Sequence, residues 1–223
     1  MPEEIFSNVF AFISKDAGSN CFLLKGAKKI ALIDSSSLFQ EKPLSDFLAK
    51  HGVSKNGGLL ILHTHGHADH FGCDKFFPNA SIAMHQDDAK PVNAQSREFA
   101  CTSLFPGTEF PKVSILLNAG QKIDLGGLSL KVIHAPGHTP GSICFFLEKE
   151  KALFSGDTLF AEGFGRTDLL GGSGRKMVES LKKLQKMGLK ALLPGHGPVL
   201  LGKSQIKGSI ERSVELASTN AFL

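Results

Sequence analysis

Within residues 64–70 stand His65, His67, Asp69 and His70, and three more side chains of the same chemistry follow in short Gly- or Pro-marked stretches: His138, Asp157 and His196. Imidazole and carboxylate are the donors preferred by zinc, iron(II) and manganese. With nine histidines in 223 residues, chance produces an H-x-H-x-D-H window in such a chain with a probability of only roughly six in ten thousand. A turn can aim His65 and His67, two apart, at one ion while Asp69 and His70 reach a neighbour. Asp157 is the natural bridge, because cations ~3.5–4 Å apart need an anion between them to offset their repulsion. Water held between two such ions is acidified toward neutral pH and becomes a hydroxide nucleophile, so no serine or cysteine nucleophile is required. The expected cofactor is a pair of divalent metal ions, zinc first, with iron or manganese as alternatives.

Elements that can position these residues are legible around them. Residues 58–62 form a short continuous apolar run of the buried-strand type and lead straight into the histidine cluster. A helix is predicted over 68–77, ended by Pro78, and strands over 113–117, 121–125, 128–134 and 191–193, divided by Gly-containing turns. Leu44, Phe47 and Leu48 lie at helical spacing, as do Met177, Leu181, Leu184 and Met187, and then Ile206, Ile210 and Val214, with Ser204 as candidate N-cap of the last helix. The chain also repeats itself: Cys21 to Asp34 and Cys144 to Asp157 each read as an apolar strand, a polar turn and a second apolar strand ending in Asp. His65, His138, Asp157 and His196 each fall just past the end of a predicted strand, where the loops of α/β sheets gather into a crevice. The reading is an α/β fold, a four-layer αββα sandwich of two similar halves, roughly 1–125 and 126–223, in a single domain spanning 1–223.

Composition narrows the functional classes. Hydrophobic residues make up 42% of the chain, enough for a sizeable core, yet no run approaches the ~18 apolar residues of a membrane span. Residues 1–14 lack the basic start and apolar stretch of a secretory leader, so the expectation is a soluble, cytoplasmic protein. Cys21, Cys73, Cys101 and Cys144 show no C-x-x-C spacing and are expected as free thiols. A net charge of +4 is spread along the chain rather than gathered into a stripe, which argues against a nucleic-acid partner. Tyr and Trp are absent, so aromatic contacts to a ligand must come from Phe or His. Nothing in the sequence sets the oligomeric state.

Thr64-His-Gly-His-Ala-Asp-His70, Pro136-Gly-His-Thr-Pro-Gly141, Ser155-Gly-Asp157 and Pro194-Gly-His-Gly-Pro198 together resemble the motif set of the metallo-β-lactamase superfamily. Gly165-Arg-Thr-Asp168 with Gly171-Gly172 is similar to the glyoxalase II-like (hydroxyacylglutathione hydrolase-like) hydrolases and their persulfide dioxygenase relatives. The resemblance implies one metal on His65, His67 and His138, a second on Asp69, His70 and His196, Asp157 bridging them, and Asp69 also orienting the attacking hydroxide. Glyoxalase II proper grips glutathione with a C-terminal helical domain and with Tyr side chains. Here the chain runs on only from Gly197 to Leu223 and holds no Tyr, so the expected match is the compact branch.

The resemblance implies a hydrolase that cleaves a small-molecule thioester of the S-2-hydroxyacyl thiol type. A thiolate leaves easily, its conjugate acid having a pKa of only ~8.5, so a metal pair without a strong general acid suffices. The alternative is a mononuclear iron dioxygenase acting on a persulfide through His65, His138 and Asp157; a nuclease of the same superfamily ranks below both. Arg166 either grips a substrate carboxylate or pairs with Asp168. Phe105 is expected at the substrate, with residues 91–111 and 160–175 as loops walling the pocket. His63 and His134 are expected to hydrogen-bond or pack beside the ligands, His51 and His85 to lie at the surface or at helix ends, and Cys73 to be a buried, inert thiol.

Overall fold

In strand after strand, alternate side chains enter two different cores. Along β3 (Cys21–Lys25) and β4 (Ile30–Ile33), Phe22, Leu24, Ala31 and Ile33 face one core, while Cys21, Leu23 and Leu32 face another. Along β10 (Ile143–Leu147), β11 (Ala152–Gly156) and β12 (Ala191–Pro194), Phe145, Phe154 and Leu193 share the first of these cores, while Cys144, Leu153 and Leu192 enter a third. Period-two alternation with both faces apolar is what a sheet buried on both sides requires. The computed structural model, which describes residues 3–220, meets that requirement with two sheets face to face and helices outside each.

The first sheet has seven strands in sequence order: β1 (Glu4–Phe6), β2 (Val9–Phe12), β3, β4, β5 (Leu59–Leu62), β6 (Ser81–His85) and β7 (Ile115–Leu117). It is antiparallel up to β4 and parallel from β4 to β7. The second has six, ordered β13 (Leu200–Leu201), β12, β11, β10, β9 (Ser129–His134) and β8 (Lys122–Asp124), with β11 and β12 parallel. Helices α1 (Glu41–Lys50), α2 (Ala68–Phe71) and α3 (Gln86–Asn93) supply Leu44, Phe47, Phe71 and Val92 to the outer core of the first sheet. Helices α4 (Gly174–Gln185) and α5 (Lys203–Asn220) supply Met177, Leu181, Leu184, Ile206 and Ile210 to that of the second. The layers are αββα, as the sequence predicts. Among the described residues no helix is long and apolar enough to cross a membrane.

Several local expectations need correction. The helix predicted over 68–77 stops at Phe71: Gly72 packs so closely that a Cβ there would lie 2.4 Å from the Leu38 nitrogen, and the chain re-forms as a tighter 3-10 turn at Asp74–Phe76. Residues 86–93 form α3, which takes in the first three residues of the loop expected over 91–111 and is entered through a His85 side chain that accepts the Asp87 amide. His85 is therefore at a helix end but buried rather than on the surface. Val113 gives its amide to the Asn93 side chain, so the strand predicted from 113 starts at Ile115. Helix α5 begins at Lys203, which puts Ser204 inside its first turn instead of at its cap.

The two sheets are joined where the site lies. Ile143, at the start of β10, donates its amide to the Thr64 carbonyl of the first half at 2.8 Å. Gly156, at φ +49, comes so near Thr64 that a Cβ would stand 2.5 Å from its hydroxyl. Behind this junction Phe22 and Phe154 meet edge to face with ring centroids 5.2 Å apart. Because Phe154 is fully buried between the sheets, Phe154→Ala is expected to cost about 3–5 kcal/mol in denaturant unfolding. Phe39→Ala, at a residue 57% exposed, should stay within about 0.5 kcal/mol.

Candidate metal centre

All seven residues singled out by type converge at the ends of these strands. His65, His67, Asp69 and His70 follow β5; His138 follows β9; Asp157 follows β11; His196 follows β12. Three groups, His65/His67/His138, His65/His70/Asp157 and Asp69/His70/His196, each offer ligand atoms within 4.8 Å of one another. His67 Nδ1 lies 2.9 Å from His138 Nε2, and His196 Nε2 lies 3.1 Å from Asp69 Oδ2. Asp157 stands between the sets: Oδ1 is 3.2 Å from His70 Nε2, and Oδ2 is 3.7 Å from both His138 Nε2 and His196 Nε2.

Donor chemistry at this cluster fits a cation. His65 Nε2 is buried without a hydrogen-bond partner, which native interiors rarely tolerate, and His70 Nε2 faces only the carboxylates of the cluster, Asp157 at 3.2 Å and Asp69 at 3.7 Å. Three of the outward nitrogens are engaged: His70 Nδ1 with Asp34 Oδ2 at 2.9 Å, His138 Nδ1 with the Arg166 carbonyl at 2.7 Å, and His65 Nδ1 with the Thr64 hydroxyl at 3.2 Å. A partner on one imidazole nitrogen sets the tautomer and leaves the other's lone pair facing inward, as a metal ligand requires.

The electrostatics divide the histidines. Burial and the neighbouring His70 and His138 hold His65 far below the usual imidazole range, and burial with His138 brings His67 down to about 3. Both imidazoles are therefore neutral, the form in which a histidine can ligate a cation. Burial works against charge on His70 and His196, but Asp34, Asp157 and Asp69 outweigh it and raise His70, and Asp157 with Asp69 raises His196. A cation held among the same carboxylates would take the place of those protons.

Beneath the cluster lies a network in which the sequence marks only His63 as a neighbour of the seven; its partners Asp34 and Asp74 are not expected there. Asp34, placed by β4 in a left-handed conformation at φ +56, accepts the Thr64 amide and hydroxyl at 2.9 and 2.8 Å besides meeting His70. His63 sits between Asp74 Oδ2 at 2.7 Å and Asp34 Oδ1 at 3.5 Å. Burial opposes its charge, yet Asp74 and Asp34 lift it to about 9, while Asp34, despite its burial, is held at about 2 by His70 and His63. The repeat that pairs Asp34 with Asp157 is the one sequence signal that marks Asp34. Asn20 reaches across the sheets to the Pro194 and Gly197 carbonyls at 3.0 and 2.9 Å, steadying the turn that carries His196.

Phe105 and Arg166 line a cavity of about 300 Å³ that opens on His67, Asp69, His138, Asp157 and His196. Its other walls include Cys101, Leu104, Phe160 and Leu169. Arg166 spends its guanidinium on Asp168, with Nε and a terminal nitrogen 2.9 and 2.7 Å from the two carboxylate oxygens. Cys73 is buried against the Ser37 carbonyl, and burial raises its thiol far above the usual range. His85, Asp87 and His134 also approach one another, but the two rings stack at 4.3 Å and 7°. Their in-plane lone pairs run side by side instead of converging, and His134 Nε2 is taken by the Pro140 carbonyl at 2.9 Å.

Comparison with known proteins agrees with this geometry. A probable metallo-hydrolase of Methanocaldococcus jannaschii is 31% identical over 189 residues, covering 81% of this chain and 88% of that protein. A hydroxyacylglutathione hydrolase of Rhizobium meliloti is 32% identical over 151 residues, covering 66% of this chain and 50% of the relative. Among solved structures, one described in a di-iron-bound form superposes with a TM-score of 0.73 at 26% identity, covering 92% of this chain and 98% of that one. The sequence profile of the metallo-β-lactamase superfamily matches residues 15–196, from before β3 through His196 itself. The chain belongs to the metallo-β-lactamase superfamily.

Proposed function

We propose that this chain is a metal-dependent hydrolase that cleaves a thioester of the S-2-hydroxyacyl thiol type, using two divalent cations. The observation that carries the reading is the position of Asp157 between two complete donor sets, with its oxygens 3.2–3.7 Å from ligand nitrogens of both. His65, His67 and His138 would hold one ion, Asp69, His70 and His196 the other. Two cations so held supply an acidified water as nucleophile and polarise the thioester carbonyl.

The chain's own residues do the rest. Asp69, 3.1 Å from His196 and facing the cavity, is placed to accept a proton from the attacking water and orient it. Water adds to the acyl carbon, the C–S bond breaks, and the products are a carboxylic acid and a thiol; the good leaving group removes the need for a strong acid. Leu104, Phe105, Phe160 and Leu169 give the cavity apolar walls, on which the thiol portion would rest. With Arg166 engaged by Asp168, the pocket offers that portion little charge to grip.

Metal analysis of protein purified without chelator, together with a thioester hydrolysis assay, tests the reading. Two ions per chain and hydrolysis of S-2-hydroxyacyl thiols are expected; one iron per chain with oxygen uptake would point instead to persulfide oxidation. Asp157→Ala should lose the ion pair and more than about a thousandfold in turnover, or ~4 kcal/mol, and retention of both ions with most activity would remove Asp157 from its bridging role. One acyl group presented on several thiols should give kcat/KM values within about tenfold of one another, or ~1.4 kcal/mol. A preference of several hundredfold for glutathione would mean that the walls around Phe105 and Arg166 do build a tripeptide site.

A further inference from the structure

Asp88 belongs neither to the seven-residue cluster nor to the cavity wall, yet it is wholly buried and touches the chain on both sides of the cluster. It lies near the start of α3. Its Oδ2 accepts the Gly66 amide at 2.9 Å and the Thr139 hydroxyl at 2.6 Å, and its Oδ1 accepts the Gly141 amide at 2.6 Å. Gly66 is the residue between His65 and His67; Thr139 directly follows His138. One carboxylate thus fastens a turn of the first half to a turn of the second, and those turns carry one donor set, His65, His67 and His138.

The seat has no slack. A Cβ on Gly141 would stand 2.5 Å from Asp88 Oδ1, and one on Gly66 would stand 2.9 Å from Val92 of α3 and from Phe99. Both glycines are therefore pressed against the helix and its following loop. Burial raises the Asp88 carboxyl to about 6 even though three donors face it, so its ionised form is retained at pH 7 only because those donors are aimed at it.

We propose that Asp88 is a positioning residue for the donor set His65, His67 and His138, fixing the spacing of the two turns through Gly66, Thr139 and Gly141. The inference rests on the two-cation reading above. Asp88→Asn keeps the shape but turns one acceptor into a donor, so whichever way the amide sits, an N–H faces the Gly66 or the Gly141 N–H. Thr139→Val removes the hydroxyl bonds to Asp88 and to Ser142 Oγ, 2.7 Å away, and leaves both amide bonds to Asp88 in place.

The experiment is a zinc(II) titration of chelator-stripped protein against a chromophoric chelator, with cobalt(II) absorption as a second readout. His138→Ala and His196→Ala identify which step belongs to which set. Asp88→Asn is expected to weaken the His65/His67/His138 step by about 10–100-fold and leave the Asp69/His70/His196 step unchanged, with Thr139→Val between it and wild type. Wild-type affinity at both steps in Asp88→Asn, or equal weakening of both, would overturn the proposal. If Asp88→Asn does not fold by circular dichroism, Thr139→Val decides, and an unaltered first step there overturns it. A wild-type chain that takes up no zinc at all removes the two-cation reading and this inference with it, whereas two ions bound identically by wild type and variants removes this inference alone.

Discussion

The site is organised around a buried carboxylate that is not one of the seven. Asp34 touches His70, Thr64 and His63 at once, and from it runs an alternating chain of carboxyl and imidazole: Asp74, His63, Asp34, His70, then Asp69 and Asp157. Alternation makes so many ionisable groups tolerable inside a protein, because each has an opposite neighbour within hydrogen-bond reach. Removing one member would leave the next uncompensated, typically a loss of about 3–5 kcal/mol. The geometry at the strand ends thus depends on a charge pattern extending two layers below them.

The internal repeat shows one local design used in two ways. β3 with β4 and β10 with β11 are antiparallel pairs, each closed by a four-residue turn, with Lys25 opposite Ile30 and Leu147 opposite Ala152, and each followed at once by an aspartate. In the first half the carboxylate turns back beneath the cluster and braces His70. In the second it points into the cluster and stands between the donor sets. The parallel neighbours differ: β5 delivers Thr64 and the histidines beside Asp34, whereas β12 runs into the Pro194-Gly195 turn, packed so closely on Asp157 that a Cβ on Gly195 would stand 2.4 Å from Oδ1.

What could be read from sequence was whatever depends on side-chain type at short range. His65, His67, Asp69 and His70 announce themselves by spacing, and β5, β9, β11 and β12 by the apolar runs that lead into the four motifs. Less visible were elements whose reasons lie elsewhere in the chain. Residues 86–93 are polar and contain Pro91, which gives up a helical N–H, and they fold as α3 because Ala89 and Val92 find the first sheet and Asp88 finds amides far away. Asp34, Asp74 and Asp88 could not be recognised as braces because their partners are backbone groups and imidazoles supplied by other strands. Arg166 was legible as one of two alternatives, and two residues on, Asp168 takes the guanidinium.

Each donor set draws on both sheets, and this bears on the order in which the molecule can come together. His67 meets His138 across 71 residues of chain and Asp69 meets His196 across 127, so neither contact repays its loop-closure entropy until both halves have collapsed and docked. The hairpins and α4 can form from neighbours in sequence, but the seven donors can face one another only near the end of folding. Until then their imidazoles and carboxylates remain hydrated and mutually distant, and the repulsion among like charges at the finished cluster does not burden the early, local steps that build its frame.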